Sequence, residues 1–362
     1  MNENRNPLTI NVPRYGIYLL IIAGIAIRVF MIIFYYYANL SPQIEWGGWG
    51  DVTLNYYDVD SVFTGEWIWS QGDLAYPPLS IYFLLFLRTM AFGNFLVFAF
   101  YAFLLELVVA LLFYLVLKRF EIPNRNLVFG IFLLNPLYFL NYVFSATNSG
   151  YHITDSLFCL FLVIALIYYP RENKSLFYLF LGLSMCAKWY TLPAVPLIFL
   201  KYFLEKDWTE IKQFLTFVGI PIVIFLISPI LYLPNYLDLY LAWFIEDEGS
   251  RFQGIPIYVK ILPFVILGAA YIILRIKKAD LLEMSFFSII LMTSVMIWAR
   301  LYVRYLTPLI YYGHLKTNKK LFEFDVDFKI IKMDINVGNH LLTFAMSLVG
   351  CVIAIAIILF VF

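Results

Sequence analysis

Apolar residues in this chain fall in long uninterrupted runs divided by short polar turns. That pattern marks buried or membrane helices, because a half-exposed strand would alternate with period two. A run of about 20 apolar residues is enough to cross a bilayer. The first run, 15–40, is too long for a signal-peptide core and has no small-residue cleavage site after it, so it is expected to stay as a membrane helix. Residues 76–117 exceed one span. Two full spans there would carry Lys118 and Arg119 to the non-cytoplasmic side, against the tendency of short basic loops to stay inside. The pattern therefore predicts an interfacial helix over 77–92, headed by Pro77 and Pro78, and a second span over 95–117. Further spans are expected at 127–145, 153–169, 175–188, 190–204, 213–234, 255–275, 281–298, 301–315 and 340–362. The prediction is an all-α polytopic membrane protein with about eleven transmembrane helices, its amino terminus inside and its carboxyl terminus outside.

The basic clusters set this topology. Arg5 and Arg14, then Lys118, Arg119 and Arg125, Arg171 with Lys174, the trio Lys201, Lys206 and Lys212, and Arg275, Lys277 and Lys278 all fall on one side if an even number of spans separates them. The single domain, 1–362, then has a large outer loop at 39–94 that includes the interfacial helix. A second outer loop lies at 235–254, and a cytoplasmic segment at 316–338 precedes the last helix. Within that segment, 321–330 alternates apolar and charged residues, which predicts a short strand or hairpin.

Composition agrees with the pattern: 63% of the 362 residues are hydrophobic and 14% charged, against roughly 45–50% and about 25% in soluble domains. The net charge of +1 identifies no partner, and no basic stripe outside the turns points to nucleic acid. Cys159, Cys186 and Cys351 lie far apart in apolar segments and read as small buried hydrophobes. His152, His314 and His340 are scattered, which argues against a histidine metal centre.

Charge within the first outer loop is one-sided. Between 41 and 79 it carries Glu45, Asp51, Asp58, Asp60, Glu66 and Asp73, no basic residue, and Trp46, Trp49, Trp67 and Trp69. Carboxylates at a membrane surface suit a general base or a hard-metal ligand. The tryptophans suit interfacial anchoring or stacking on sugar faces. Seven cations break the inside rule: Arg28, Arg88, Lys188, Arg251, Lys260, Arg300 and Arg304. Arg88 and Lys260 read as side chains snorkelling to lipid head groups. Lys188, Arg300 and Arg304, flanked by aromatics, suit an anionic phosphate head group, with Arg28 as a further cation. Glu106, a carboxylate inside the second span, either pairs with Arg28 across the bundle or is a hydrogen-bonded structural residue.

In order, the chain has Arg28, Gly50-Asp51-Val52, Tyr56-Tyr57, Gly65 and Tyr76-Pro77-Pro78-Leu79, then Asn135-Pro136 and a loop from Gly150 to Asp155. Lys188-Trp189-Tyr190 with Pro193, and Arg304-Tyr305 with Pro308, follow. This series resembles the GT-C superfamily of membrane glycosyltransferases, and locally the mannosyltransferases that use dolichyl-phosphate mannose. The resemblance covers about 20–310. It implies a hexose transferase, mannose before glucose, taking sugar from a polyprenyl-phosphate donor to a lipid-linked or other glycan acceptor at the non-cytoplasmic face. It also implies substrate-positioning roles for Tyr76 and Asp155. Two registers compete for the catalytic aspartate: spacing from Gly65 and Tyr76-Pro77-Pro78-Leu79 selects Asp51, whereas the Asp-x-Asp spelling selects Asp58 and Asp60. The histidine-asparagine loop expected of the glycosylphosphatidylinositol enzyme is missing, and the spelling recurs at Asp325-Val326-Asp327 on the expected cytoplasmic side.

In this reading Asp51 takes the proton of the acceptor hydroxyl, and Asp58 and Asp60 orient it or bind Mg2+ or Mn2+; no organic cofactor is expected. Lys188, Arg300, Arg304 and Arg28 hold the donor phosphate. Two other classes stay open. A transporter or flippase of lipid-linked sugars would show repeats and midplane groups, and a non-catalytic assembly subunit would keep the helices without the base.

Overall fold

The computed structural model describes residues 14–38, 51–60, 62, 76–122, 124–138, 152–226, 256–299, 306–315, 327–328, 331–332, 343–349 and 352. Among these the fold is all-α apart from one small hairpin. Its helices are α1 (Arg14–Ala38), α2 (Asp51–Asp60), α3 (Pro78–Met90), α4 (Phe95–Arg119), α5 (Arg125–Leu133) and α6 (Ile153–Tyr168). They continue with α7 (Ser175–Ala187), α8 (Ala194–Glu205), α9 (Trp208–Pro221), α10 (Ile257–Leu274), α11 (Leu281–Ala299) and α12 (Thr307–Gly313). Residues 343–349 are also helical.

Most of the expected long segments are helices at the expected places, and the short 77–92 helix is α3. Its first residue is Pro78, where the missing N–H has no helical partner to lose. Four expectations shift. The 127–145 helix stops at Leu133 and breaks at Asn135, because Pro136 disfavours helical backbone in the residue before it. The Asn135 side chain then accepts from the Leu137 N–H at 3.1 Å. The 190–204 helix is divided into a 3-10 turn, Trp189–Thr191, and α8, with Pro193 at the joint. Among the described residues of 301–315, which begin at 306, the helix is Thr307–Gly313, started by Pro308 in its first turn. The expected 213–234 helix starts earlier, at Trp208, and continues beyond Pro221 as a π-turn, Ile222–Leu226. A proline removes an amide donor from the ladder, and such widening accommodates the loss.

The expected hairpin is present, displaced toward the end of its segment: Asp327–Phe328 pairs antiparallel with Ile331–Lys332, setting Asp327 opposite Lys332. This copy of the Asp-x-Asp spelling therefore ends in a strand.

Helices α4, α6 and α10 end at one end of the bundle, and α7, α9 and α11 begin there, as the basic clusters require. At one end Phe120, just past α4, stacks on Tyr169, just past α6, with ring centres 5.6 Å apart. Tyr169 also meets Phe177 in the first turn of α7. Tyr178 donates at 2.9 Å to Glu210, in the first turn of α9. Arg275, capping α10, forms a two-pronged pair with Glu283, in the first turn of α11, at 3.0 and 2.9 Å. Lys174 sits at this end; burial pulls its ammonium below the ordinary lysine range, opposed by Glu210 and Asp280.

The main core lies among α4, α5, α6, α7, α9 and α11, with Phe113, Phe132, Phe158, Tyr178, Tyr190 and Tyr311 essentially buried. A second core joins α2 and α3 to the first half of α4 through Val52, Tyr56, Val59, Ile81, Leu84 and Phe98, and reaches Ile153 at the start of α6. Helix α1 packs closely on α5 because both lack side chains at the crossing: a Cβ on Gly24 would stand 2.6 Å from Leu133 Cβ, and one on Gly130 2.6 Å from Leu20 Cδ2.

Candidate functional site

Three chain segments deliver polar side chains to the end opposite Tyr169 and Lys174. The first is the entry to α3. Pro77 is held extended at φ −57°, ψ 146°, and projects Tyr76 away from the helix it precedes. The second is the start of α6, where His152 stands at the cap and Asp155 lies in the first turn, favoured there by the helix dipole. The third is the end of α7. Lys188 caps it in an extended conformation, φ −158° and ψ 144°, which stops the helix and turns the side chain toward α6.

These segments meet. The Lys188 ammonium forms a hydrogen-bonded ion pair with the Asp155 carboxylate, with both side chains mostly withdrawn from solvent. It also stands 5.6 Å from the centre of the Tyr190 ring. The Tyr76 hydroxyl lies 3.2 Å from His152 Nε2, and the two rings meet edge to face. On its other nitrogen, His152 Nδ1 is 2.7 Å from Thr154 Oγ1 and 4.0 Å from Asp155 Oδ2. Ser80, in the first turn of α3, donates to the Ala187 carbonyl at 2.6 Å and fixes the entry of α3 against the end of α7. The arrangement runs Tyr76, His152, Asp155, Lys188: hydroxyl, imidazole, carboxylate and ammonium within one connected cluster.

Of the residues singled out in the sequence, Tyr76, Asp155 and Lys188 are thus brought together. Asp51, Asp58 and Asp60 all lie on α2, a helix inside the acidic loop that the apolar pattern did not predict. Both competing registers therefore fall on one short helix. Position 51 opens this helix and position 60 closes it. Asp60 is engaged: its carboxylate is bonded to Arg88. That pairing replaces the snorkelling expected of Arg88. Among the described residues no group of three or more His, Cys, Asp or Glu side chains is disposed to hold a metal.

Arg28 is corrected from a donor-phosphate ligand to an interior structural residue. It is 3% exposed, donates to Glu106 Oε1 at 3.2 Å, and lies 4.1 Å above the Tyr138 ring. It also donates to the carbonyls of Leu133 at 3.0 Å and Phe132 at 3.4 Å. Those carbonyls end α5 just before Pro136, which has no N–H to offer them. The expected Arg28–Glu106 pair is therefore present, and it occupies the guanidinium. Arg300 and Arg304 lie outside the described residues, as does the loop 235–254.

His152, Thr154, Ser80 and the partner of Arg88 were not found from the sequence. A signal for His152 existed in its position directly ahead of an apolar helix that carries Thr154 and Asp155 in its first turn. Nothing along the chain ties residue 152 to residue 76. Comparison with known protein families, with curated proteins and with solved structures finds no match to this chain.

Proposed function

We propose that the chain is an integral membrane glycosyltransferase of the GT-C type. It would move a hexose, mannose in the first instance, from a polyprenyl-phosphate donor to a lipid-linked glycan or another acceptor at the non-cytoplasmic face. The observation that carries the reading is the meeting of Tyr76, Asp155 and Lys188 at one end of the bundle. Each was singled out separately in the sequence, and together they adjoin the core that seats the acidic helix α2.

A membrane setting is supported by the outward faces of the helices. Leu19, Ile22, Phe30, Phe100 and Ile266 are all more than half exposed, which water disfavours and lipid does not. Two stretches, Phe95–Arg119 and Trp208–Phe225, are long and apolar enough to cross a bilayer, and only 39% and 22% of their apolar windows is buried inside the protein. A core helix of a soluble protein would be mostly buried. The direction of the helices gathers the basic turns at one end and the candidate site at the other, in line with the positive-inside rule.

In the proposed reaction Asp51 accepts the proton of the acceptor hydroxyl as its oxygen attacks the anomeric carbon. The bond from that carbon to the phosphate oxygen breaks, and the electron pair leaves with the polyprenyl phosphate. That leaving group is already an anion, so cations are needed more than an acid. Lys188 supplies one, aimed by Asp155, and Arg300 and Arg304 are assigned beside it. Asp51 is preferred over Asp58 and Asp60 because of its spacing from Gly65 and Tyr76-Pro77-Pro78-Leu79 and because Asp60 is already paired with Arg88. No step is routed through Mg2+ or Mn2+.

The test is incubation of purified protein with labelled polyprenyl-phosphate mannose, polyprenyl-phosphate glucose and nucleotide sugars. Transfer from a polyprenyl-phosphate sugar is expected. Transfer from a nucleotide sugar alone, or movement of lipid-linked sugar across vesicles without transfer, overturns the proposal. Lys188→Ala is expected to raise the donor KM by about 10- to 100-fold, the scale of one charge-assisted contact, in protein that stays folded in detergent. Unchanged donor use would remove Lys188 from the phosphate site. For topology, single cysteines at Gly72 and Gly249 should react with an impermeant label from outside, and one at Asn124 should not. Outside labelling at Asn124 would invert the assignment of ends.

A further inference from the structure

We propose that Arg88 is a positioning residue: a latch that docks the carboxylate-bearing helix α2 onto α3 and the α3–α4 turn, and so determines where the first-loop aspartates stand. The proposal rests on the glycosyltransferase reading for its functional consequence, but not for the latch itself.

Helix α2 is ten residues long, Asp51–Asp60, and its sequence is poor in strong helix formers. An isolated helix of that length is not stable in water, so tertiary contacts must hold it. Its apolar anchors are Val52, Tyr56 and Val59, which are buried in the second core. The polar contacts converge on Arg88, in the last turn of α3. The guanidinium bonds the Asp60 carboxylate at the last residue of α2 and lies over the Tyr56 ring, 4.5 Å from its centre. The Tyr56 hydroxyl passes the guanidinium and donates to the Gly93 carbonyl at 2.5 Å. A single side chain thus holds α2 at two positions, one turn apart.

The turn after α3 is shaped to leave room for this. Gly93 has φ +76°, a conformation that L side chains rarely adopt, and a Cβ there would stand 3.1 Å from Arg88 Nη1. Asn94 then caps α4 by accepting from Leu96 and Val97, at 2.9 and 3.2 Å, which fixes the turn at its far side. The latch is therefore built on a rigid corner. An arginine suits it better than a lysine, because only a planar guanidinium stacks on the ring and pairs with the carboxylate together.

The latch is read by amide hydrogen exchange on the purified full chain, with transfer activity measured alongside. Arg88→Ala is expected to raise exchange in 52–59 by about tenfold, the combined scale of a cation–π contact and a half-exposed ion pair, while α6 and α7 keep their protection. Arg88→Lys should retain part of the protection, and Tyr56→Phe, which keeps the ring but loses the bond to Gly93, should lose less than Arg88→Ala. Unchanged exchange in 52–59 with Arg88→Ala overturns the latch. So does loss spread evenly through the bundle in both Arg88→Ala and Arg88→Lys, since it would make Arg88 a residue of global stability. If exchange rises selectively and transfer from the polyprenyl-phosphate donor persists at the unsubstituted rate, the latch stands and the role assigned to the α2 carboxylates fails.

Discussion

Asp51→Asn is expected to lower turnover by about 10²–10⁴-fold, the range of a well-placed general base, with donor affinity retained. The amide is nearly the shape of the carboxylate but takes no proton. The comparison with its neighbours on α2 makes the result specific. Asp60 is already bonded to Arg88, so Asp60→Asn should cost less than about tenfold, chiefly through a loosened helix. Asp58 lies two turns beyond position 51 on the same helix, and Asp58→Asn should fall between the two. A steady-state comparison of the three variants checks the order. If Asp51→Asn works like the unsubstituted protein and Asp58→Asn is inactive, the Asp-x-Asp spelling and not the loop spacing marks the base. If all three retain activity, the acidic helix is a solvated face and the enzyme assignment fails with it.

The second large effect concerns stability. Arg28→Ala is expected to destabilise the bundle by about 3–5 kcal/mol, the scale seen when one partner of a buried ion pair is removed. It would leave the Glu106 carboxylate buried without its cation and the Leu133 carbonyl without the guanidinium that donates to it. Glu106→Gln should be milder, because an amide oxygen still accepts from the guanidinium. Replacing both charges, Arg28→Met with Glu106→Leu, should recover part of the loss, since apolar partners remove the unpaired charge. The orphaned end of α5 keeps the recovery incomplete. Denaturation of each variant in the same detergent measures the order, and equal stability of Arg28→Ala and the unsubstituted protein would contradict it.

How much of this was legible in the sequence depended on the range of the forces involved. Helices α4, α6, α7, α10 and α11 followed from run length, since burying a long apolar segment dominates local preference. Helix α3 followed from a proline pair and the parity of basic turns. The Arg28–Glu106 pair was legible because two opposite charges in apolar runs have few other ways to be satisfied. Helix α2 was not. Its residues, Asp51 to Asp60, carry no apolar periodicity strong enough to overcome weak propensity, and its helicity comes from the surface it docks on. Arg88 looked like a side chain reaching for head groups because its partner, Asp60, lies 28 residues away. His152 stayed hidden for the same reason, since its neighbour Tyr76 is separated by 76 residues. Lys188 was recognised as unusual, but its bond to Asp155 was not, although both residues were named.

The Asn135 carboxamide, where α5 breaks, donates at 2.9 Å to Ser347 in the helical stretch 343–349, 212 residues further along. Thr343, one turn earlier in that stretch, donates at 3.1 Å to the carbonyl of Gly313, the last residue of α12. At a synthesis rate of roughly 5–20 residues per second, about 10–40 s separates the appearance of Asn135 from that of its partner. Throughout that interval the amide must be satisfied by some temporary neighbour. The middle of the bundle is thus closed only once the stretch 343–349 has been made.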